Sequence, residues 1–144
     1  MGSWNRDLQA DLRVIQNWGA DVLVTLVEKH ELESLGVFQL GNQAAHFDLD
    51  WLHLPIVDVS TPDNVFEMQW QKTGPDLRRL LYSGGRCVLH CKGGLGRTGT
   101  IAARLLVESG MEPQVAIKAV RQSRSGAIET AGQERYIHGL AGQL

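Results

Sequence analysis

The sequence predicts an α/β fold: a mostly parallel central sheet flanked by helices on both faces. Short apolar runs rich in β-branched residues alternate along the chain with longer segments whose apolar residues recur at helical spacing. Strands that alternate with helices favour parallel pairing, because the helical crossovers then cover the sheet on both sides. The 144 residues contain no repeat, linker or low-complexity segment, so we expect a single domain over 1–144.

The first half of the chain supplies two of the predicted strands. Leu8, Leu12 and Ile15 fall near helical spacing, and Gly19 ends the helix that they predict. The apolar run that follows is rich in valine, which indicates a buried strand. In a later run, apolar and polar residues alternate in places, which indicates a second strand. In order, we predict a helix over 7–18, a strand over 20–27, a helical turn over 31–35, irregular chain over 37–48 and a strand over 49–56.

The second half predicts the remaining strand and four helices. Thr61 and Pro62 are typical of a helix start, as a capping hydroxyl and a first-position proline. Gly74 and Pro75 are expected to break or kink that helix, and Thr130 is expected to cap the last one. In order, we predict a helix over 61–82, a strand over 87–90, and helices over 100–107, 112–124 and 131–140.

Composition and charge exclude several classes of partner. The hydrophobic fraction of 43% and the charged fraction of 21% are ordinary for a globular protein. The formal net charge of −2 offers no basic field for nucleic acid. No apolar run reaches the length of a membrane span and the N-terminus lacks a signal-peptide core, so we expect a cytoplasmic protein that binds no membrane. We also expect a monomer.

The two cysteines, Cys87 and Cys91, are expected to stay reduced. If both lie on one strand, their Cα atoms are about 13 Å apart, which is too far for a disulfide. Free thiols fit a reducing compartment. The histidines show no metal-ligand spacing, and we predict neither a metal nor another cofactor.

The strongest chemical signal is the stretch His-Cys-Lys-Gly-Gly-Leu-Gly-Arg-Thr-Gly, residues 90–99. It places Cys91 at the carboxyl end of the predicted central strand, where ligands bind in open α/β sheets. The glycines let backbone amides converge, and converged amides at a helix N-terminus bind anions. We therefore predict a phosphate-binding loop formed by Lys92, Gly93, Gly94, Leu95, Gly96 and Arg97.

The side chains of this loop suit phosphoryl transfer to sulfur. The guanidinium of Arg97 is a planar fork that matches two oxygens of a phosphate. The positive surroundings are expected to lower the pKa of Cys91, so that a thiolate lies beneath the bound phosphate as a nucleophile. The alternative, a buried thiol at a strand end, leaves the glycines and Arg97 unexplained.

The pattern Cys-x5-Arg-Thr resembles the signature of the cysteine-dependent protein tyrosine phosphatases, and the fuller stretch resembles their small dual-specificity branch. The resemblance covers nearly the whole chain, including residues 11–21 before the first strand. It implies the phosphotyrosine phosphatase fold, a phosphocysteine intermediate and a phosphoprotein substrate. Because kinase-associated members of the branch act on a phosphorylated kinase, such a kinase is a candidate partner.

Hydrolysis of an alkyl phosphate also requires a general acid, because an alkoxide is a poor leaving group. A positioned acid contributes about 10²–10⁴-fold to the rate. The resemblance implies that Asp58 is this acid, on the loop after the second predicted strand. Asp63 is the alternative, although its position in the first turn of a helix is typical of a structural role.

Three further residues have predicted roles beside Cys91. The Thr98 hydroxyl is expected to donate to the cysteine sulfur, or to cap the helix that follows. Gln133 resembles a family position that orients the attacking water, and a glutamine in a first helical turn is otherwise commonplace. His90 is expected to hold the loop by side-chain hydrogen bonds to backbone.

The substrate class follows from the expected depth of the cleft. The chain is shorter than the tyrosine-specific phosphatase domains, so a shallow cleft is expected to accept phosphoserine and phosphothreonine as well as phosphotyrosine. A phosphoinositide or RNA 5′-phosphatase is the alternative, and Leu95 disfavours the first because related lipid phosphatases carry a lysine there. A non-catalytic phosphate-binding module is a remote alternative, since Cys91, Arg97 and Asp58 are all present.

Overall fold

The computed structural model of the protein describes residues 7–93 and 95–140. Its elements in chain order are α1 (Leu8–Trp18), β1 (Val22–Thr25), α2 (Lys29–Ser34), α3 (Leu40–His46), β2 (Asp50–His53), α4 (Asn64–Tyr82), β3 (Cys87–His90), α5 (Gly96–Glu108), α6 (Pro113–Ser123) and α7 (Ala131–Gly139). The strands form a parallel sheet in the order β2-β1-β3, with Thr25 level with His53 and His90. The predicted α/β class is confirmed.

Apolar side chains cover both faces of the sheet. On one face, the valines of β1 pack against Phe66 and Trp70 of α4 and Ile101 of α5. On the other face, Leu23 packs against Leu12 and the buried residues of α2 and α3. A third cluster joins α5, α6 and α7. Because the three strands are parallel, their carboxyl ends lie at the same edge of the sheet, near α2 and α5.

The helix ends follow local side-chain chemistry in most places. The Asp7 carboxylate caps α1 by accepting from the backbone of Gln9 and Ala10, and Gly19 ends the helix at a φ of 95°. Thr130 caps α7 as predicted, in a capping box with Gln133. Among the described helices, none is both long and apolar enough to cross a membrane.

The predictions for α4 were wrong at its start and in its middle. Asp63, not Thr61, is the cap, since its carboxylate accepts from the Phe66 N–H at 2.9 Å. The helix is also unbroken at Pro75, so the predicted break is wrong, while the kink stays a prediction. Tertiary packing outweighs the lost backbone hydrogen bond, because Phe66, Trp70 and Leu77, on both sides of the proline, are buried in the core.

The segment predicted as irregular contains helix α3. Its sequence has no side-chain cap, and only Leu40 and Ala44 are buried, so the local signal for a helix is weak. The helix is held by its contact with β2. Gly41 lies against the Trp51 ring, where a Cβ would come within 2.5 Å of a ring carbon.

Candidate active site

The loop after β3 brings Cys91 and Arg97 to the carboxyl edge of the sheet. Cys91 directly follows the strand and is half-buried, and α5 begins at Gly96. The amides at the start of a helix have no intrahelical acceptor, and the first α5 amide with one is Gly99, which donates to Leu95 at 3.2 Å. The N-terminus of α5 therefore follows Cys91 at the end of the same loop, and a helix N-terminus is a favourable position for an anion. Gly94, also predicted for this loop, lies outside the described residues.

The Thr98 hydroxyl lies where the sequence analysis expects it. Its Oγ1 donates to the Cys91 sulfur at 3.0 Å. A hydroxyl donor at this distance stabilises negative charge on the sulfur more than it stabilises a neutral thiol.

The rest of the loop is braced from α6 and from the chain after it. Gly93 has a φ of 84°, and its carbonyl accepts from the Arg124 guanidinium at 2.9 Å. The carbonyl of Leu95 accepts from the Ile128 N–H at 3.0 Å. Arg124 thus supports the loop from outside, while Lys92 is half-buried within it.

Arg97 is locked in place by a carboxylate that sequence reasoning missed. Its side chain is 1% exposed, and its Nη1 and Nη2 donate to the two oxygens of Glu31 at 2.7 and 3.0 Å. Nη1 also donates to the Ile56 carbonyl at 3.0 Å. A bidentate pair of this kind fixes the plane of the guanidinium.

The charges of this pair reinforce each other. Burial opposes the charge on both side chains, but the hydrogen bonds and the charges around them together outweigh it, so the pKa of Glu31 is lowered and the pKa of Arg97 is raised. Asp58 and Cys91 add smaller contributions to the rise in the pKa of Arg97. A sequence signal for Glu31 does exist, because Glu28 and Glu31 form a capping box at the start of α2, but it indicates only a helix end.

We expect Glu31→Gln to lower kcat/KM for phosphate monoesters by at least about tenfold, because a neutral amide cannot hold both arms of Arg97. Glu31→Ala should also lower the free energy of unfolding by about 3 kcal/mol, the cost of leaving one charge of a buried pair alone. Steady-state kinetics and urea unfolding measure the two effects. Glu33→Gln, at an exposed position of the same helix, is the matched control. Equal kinetics in both glutamine variants would contradict the role of Glu31.

Asp58 reaches the site from a tight turn after β2. Its side chain is 60% exposed, and Oδ1 lies 3.3 Å from Arg97 Nη2. The same oxygen accepts from the Val59 N–H at 2.9 Å. By contrast, the Asp63 carboxylate is engaged in the α4 cap. The structure thus brings Asp58 to Arg97, and the choice of Asp58 as the acid stays a prediction.

The turn that carries Asp58 is strained. Ser60 N donates to the Val57 carbonyl at 3.1 Å to close it, and Val59 has a φ of 54°. That region is unfavourable for a β-branched residue and costs about 1–3 kcal/mol. Such a conformation persists only where neighbouring groups hold it.

Gln133 lies behind this turn rather than in the open mouth. Its side chain is fully buried. Oε1 accepts from the backbone of Glu129 and Thr130 at 3.0 and 3.2 Å, and Nε2 donates to the Ser60 carbonyl at 3.1 Å. The water-orienting role predicted for Gln133 stays a prediction.

His90 contacts a hydroxyl through one ring nitrogen, and the backbone hydrogen bonds predicted for it stay a prediction. Its Nε2 lies 2.6 Å from Thr25 Oγ1, which also accepts from the Trp51 indole N–H at 2.7 Å. Thr25 and His90 are level on neighbouring strands and Trp51 is level with Leu23, an arrangement that no local pattern indicates. Burial, with a smaller contribution from the charge of His53, lowers the pKa of His90 to about 4.

This shift predicts that the protein loses stability in mild acid. An unfolded His90 takes up its proton near its ordinary pKa of 6.5, whereas the folded one does so at about 4. The contribution is therefore complete above pH 6.5 and falls by about 3 kcal/mol as the pH drops to 4. Urea unfolding at several pH values should show a shallower decline for His90→Gln than for the exposed control His30→Gln. Identical pH dependence in both variants would refute the assignment.

One trio of described side chains has ligand atoms close enough to share a metal ion. Oxygens or nitrogens of Glu28, His30 and Glu31 lie within 4.8 Å of one another. Both Glu31 oxygens already accept from Arg97. The trio therefore fits a structural role better than a metal site, and the expected absence of a metal stays a prediction.

The chain is similar to known phosphatases over nearly its whole length. A family model described as "Swiss Army Knife protein, DSP-PTPase phosphatase domain" matches residues 2–137. The cyclin-dependent kinase inhibitor 3 of Rattus norvegicus is 31% identical over 142 residues, which cover 96% of this chain and 66% of that protein. The protein tyrosine phosphatase type IVA 3 of Mus musculus is 31% identical over 132 residues, covering 88% of this chain and 68% of that protein.

A solved structure has the same architecture. The kinase associated phosphatase, crystallised with its catalytic site cysteine replaced by serine, superposes with a TM-score of 0.86 at 29% identity, and the match covers 96% of this chain and 78% of that one. The chain spans 65–66% of the length of the cyclin-dependent kinase inhibitor 3 sequences that it matches.

Proposed function

Because this chain belongs to the family of DSP-PTPase phosphatase domains, we propose that it hydrolyses phosphate monoesters on proteins through a phosphocysteine intermediate. The family resemblance drawn from residues 90–99 is confirmed by that membership. Three features of the loop between β3 and α5 support the proposal. These are the Cys91 sulfur with its Thr98 donor, the N-terminus of α5, and the Arg97 guanidinium held by Glu31.

In the first step, the Cys91 thiolate attacks the phosphorus and the bond from phosphorus to the ester oxygen breaks. Asp58 donates its proton to that oxygen, so the side chain of the substrate leaves as a neutral hydroxyl. The helix N-terminus and Arg97 stabilise the charge on the three remaining oxygens. Phosphate is now bound to sulfur, and Asp58 is a carboxylate.

In the second step, water attacks the phosphorus and the bond from sulfur to phosphorus breaks. The electron pair returns to the Cys91 sulfur, where the Thr98 hydroxyl stabilises the thiolate. Asp58 takes the proton from the water and is ready for the next turnover. Inorganic phosphate is the product.

Some N–H groups of Arg97 bind the residues that hold its side chain, and the others are available to the substrate. Glu31 and the Ile56 carbonyl engage both hydrogens of Nη1 and one of Nη2. Asp58 Oδ1 lies 3.3 Å from Nη2. We propose that a phosphate that binds there displaces this carboxylate from the guanidinium.

The proposed substrates are phosphoproteins with phosphotyrosine, phosphoserine or phosphothreonine, and a phosphorylated kinase is one candidate. The names of the relatives support a protein substrate more than a phosphoinositide or an RNA. We propose a monomer in the cytoplasm, where the free thiols of Cys87 and Cys91 would stay reduced.

A substrate panel tests the proposal. Purified protein is incubated with matched phosphotyrosine, phosphothreonine and phosphoserine peptides, a phosphoinositide and a 5′-triphosphorylated RNA, with and without a chelator, and released phosphate is measured. We expect release from the peptides that the chelator does not change. Release from the lipid or the RNA alone would replace the proposed substrate class. Peptide binding without release would favour the binding module.

A further inference from the structure

Gln133 ties the turn that carries Asp58 to the beginning of α7. Its amide has two backbone N–H groups at the oxygen and a carbonyl at the nitrogen, which fixes the orientation of the amide. The carbonyl belongs to Ser60, the residue that closes the turn. The Ser60 hydroxyl also donates to the Asp58 carbonyl at 3.2 Å, so this residue holds the turn from both sides.

The same amide lies against the start of α5. A Cβ on Gly96 would be 3.0 Å from the amide nitrogen of Gln133 and 3.1 Å from its oxygen, so the amide packs closely against this glycine. Gln133 therefore contacts the helix that carries Arg97 and donates to the turn that carries Asp58. A shift of this amide would change the distance between the acid and the phosphate loop.

We propose that Gln133 is a positioning residue that holds Asp58 over the phosphate loop. The inference rests on the proposed function, since it assigns to Gln133 the geometry of proton transfer in the first step. Because the positive φ of Val59 is strained, the turn is expected to change conformation when the Ser60 carbonyl loses the hydrogen bond from Gln133. The rival role, orientation of the attacking water, needs a free acceptor, yet both lone pairs of the amide oxygen face backbone N–H groups.

Gln133→Glu separates these contacts at a pH at which the new carboxyl is ionised, because the carboxylate keeps an acceptor for the Glu129 and Thr130 amides and has no hydrogen to donate to the Ser60 carbonyl. Rapid-mixing kinetics compare a phosphothreonine peptide, whose leaving oxygen needs a proton, with p-nitrophenyl phosphate, whose leaving group does not. We expect phosphoenzyme formation from the peptide to slow by about tenfold or more, a fraction of what a general acid contributes. Phosphoenzyme formation from p-nitrophenyl phosphate should change less than about threefold by the same principle.

Thr130→Ala is the matched control. It removes the hydroxyl that caps α7 and leaves the bond from Gln133 to Ser60, so it should not separate the two substrates. A rapid burst of p-nitrophenolate followed by slow turnover in Gln133→Glu, with phosphoenzyme formation from the peptide unchanged, would show a defect in water attack alone and overturn the proposal. An equal slowing of phosphoenzyme formation from both substrates would overturn it too.

A second measurement does not depend on activity. Gln133→Met keeps the length of the side chain and lacks both hydrogen-bonding atoms, and circular dichroism checks that it is folded. Hydrogen exchange over residues 57–60 should be faster in this variant than in the wild type. Unchanged exchange would show that Gln133 does not hold the turn. If the wild type hydrolyses neither substrate and exchange is still faster in the variant, the proposed function is refuted. The role of Gln133 in holding the turn is then still supported.

Discussion

Replacing Cys91 by serine is expected to abolish phosphate release while leaving phosphopeptide binding intact. A serine hydroxyl is far less ionised than a thiol near neutral pH, so it cannot attack the phosphorus at a useful rate. The loss should be about 10⁴-fold or more, the scale seen when a hydrolase loses its nucleophile. The phosphate-binding groups are backbone amides and Arg97, and none of them changes. Released phosphate and isothermal titration with a phosphopeptide measure the two outcomes.

Cys87 provides the matched control for this experiment. It lies on β3 four residues before Cys91, and burial raises the pKa of its thiol, so it stays protonated. Cys87→Ser should retain activity, and alkylation by iodoacetamide should modify Cys91 first. Activity in Cys91→Ser above the background rate would remove this residue from its assigned role.

Replacing Asp58 by alanine should produce the second largest effect, and the effect should depend on the leaving group. Turnover of a phosphothreonine peptide should fall by about 10²–10⁴-fold, the contribution of a positioned acid. p-Nitrophenyl phosphate should be affected far less, because nitrophenolate leaves without a proton. In the wild type, rate against pH should be bell-shaped, and the limb due to the protonated acid should disappear in the variant.

Asp63→Ala separates catalysis from helix capping. The Asp63 carboxylate accepts from the Phe66 N–H, so its loss should cost about 1 kcal/mol of stability and leave the preference between leaving groups unchanged. If Asp63→Ala shows the leaving-group dependence and Asp58→Ala does not, the acid has been assigned to the wrong residue.

The sequence was most informative where structure depends on neighbours along the chain. The strand and loop around Cys91, the cap at Thr130 and the stop at Gly19 all rest on local chemistry, and the structure has each of them. Helix α3 was missed because it is held by the Trp51 ring of β2. The continuous α4 was missed because the burial of Phe66, Trp70 and Leu77 in the core holds the helix across Pro75. Propensity is a weak guide where tertiary packing overrides it.

The same distinction applies to the candidate site. The contact between Thr98 and Cys91 follows from the geometry of one loop and one helix turn, so sequence spacing was enough to expect it. Glu31 lies 66 residues before Arg97, and its pairing appears only when α2 and α5 are folded against the sheet. The bond from Gln133 to Ser60 spans 73 residues and is invisible to local pattern for the same reason.

The contact between Asp58 and Arg97 also bears on how product leaves. After the phosphocysteine is cleaved, inorganic phosphate is held by a guanidinium that a tethered carboxylate can reach, with 3.3 Å between Oδ1 and Nη2. Once Asp58 has given up its proton, its carboxylate replaces the departing phosphate beside Arg97, whose other partner is Glu31. Free phosphate has to compete with a carboxylate that never diffuses away, so we expect product inhibition to be weak.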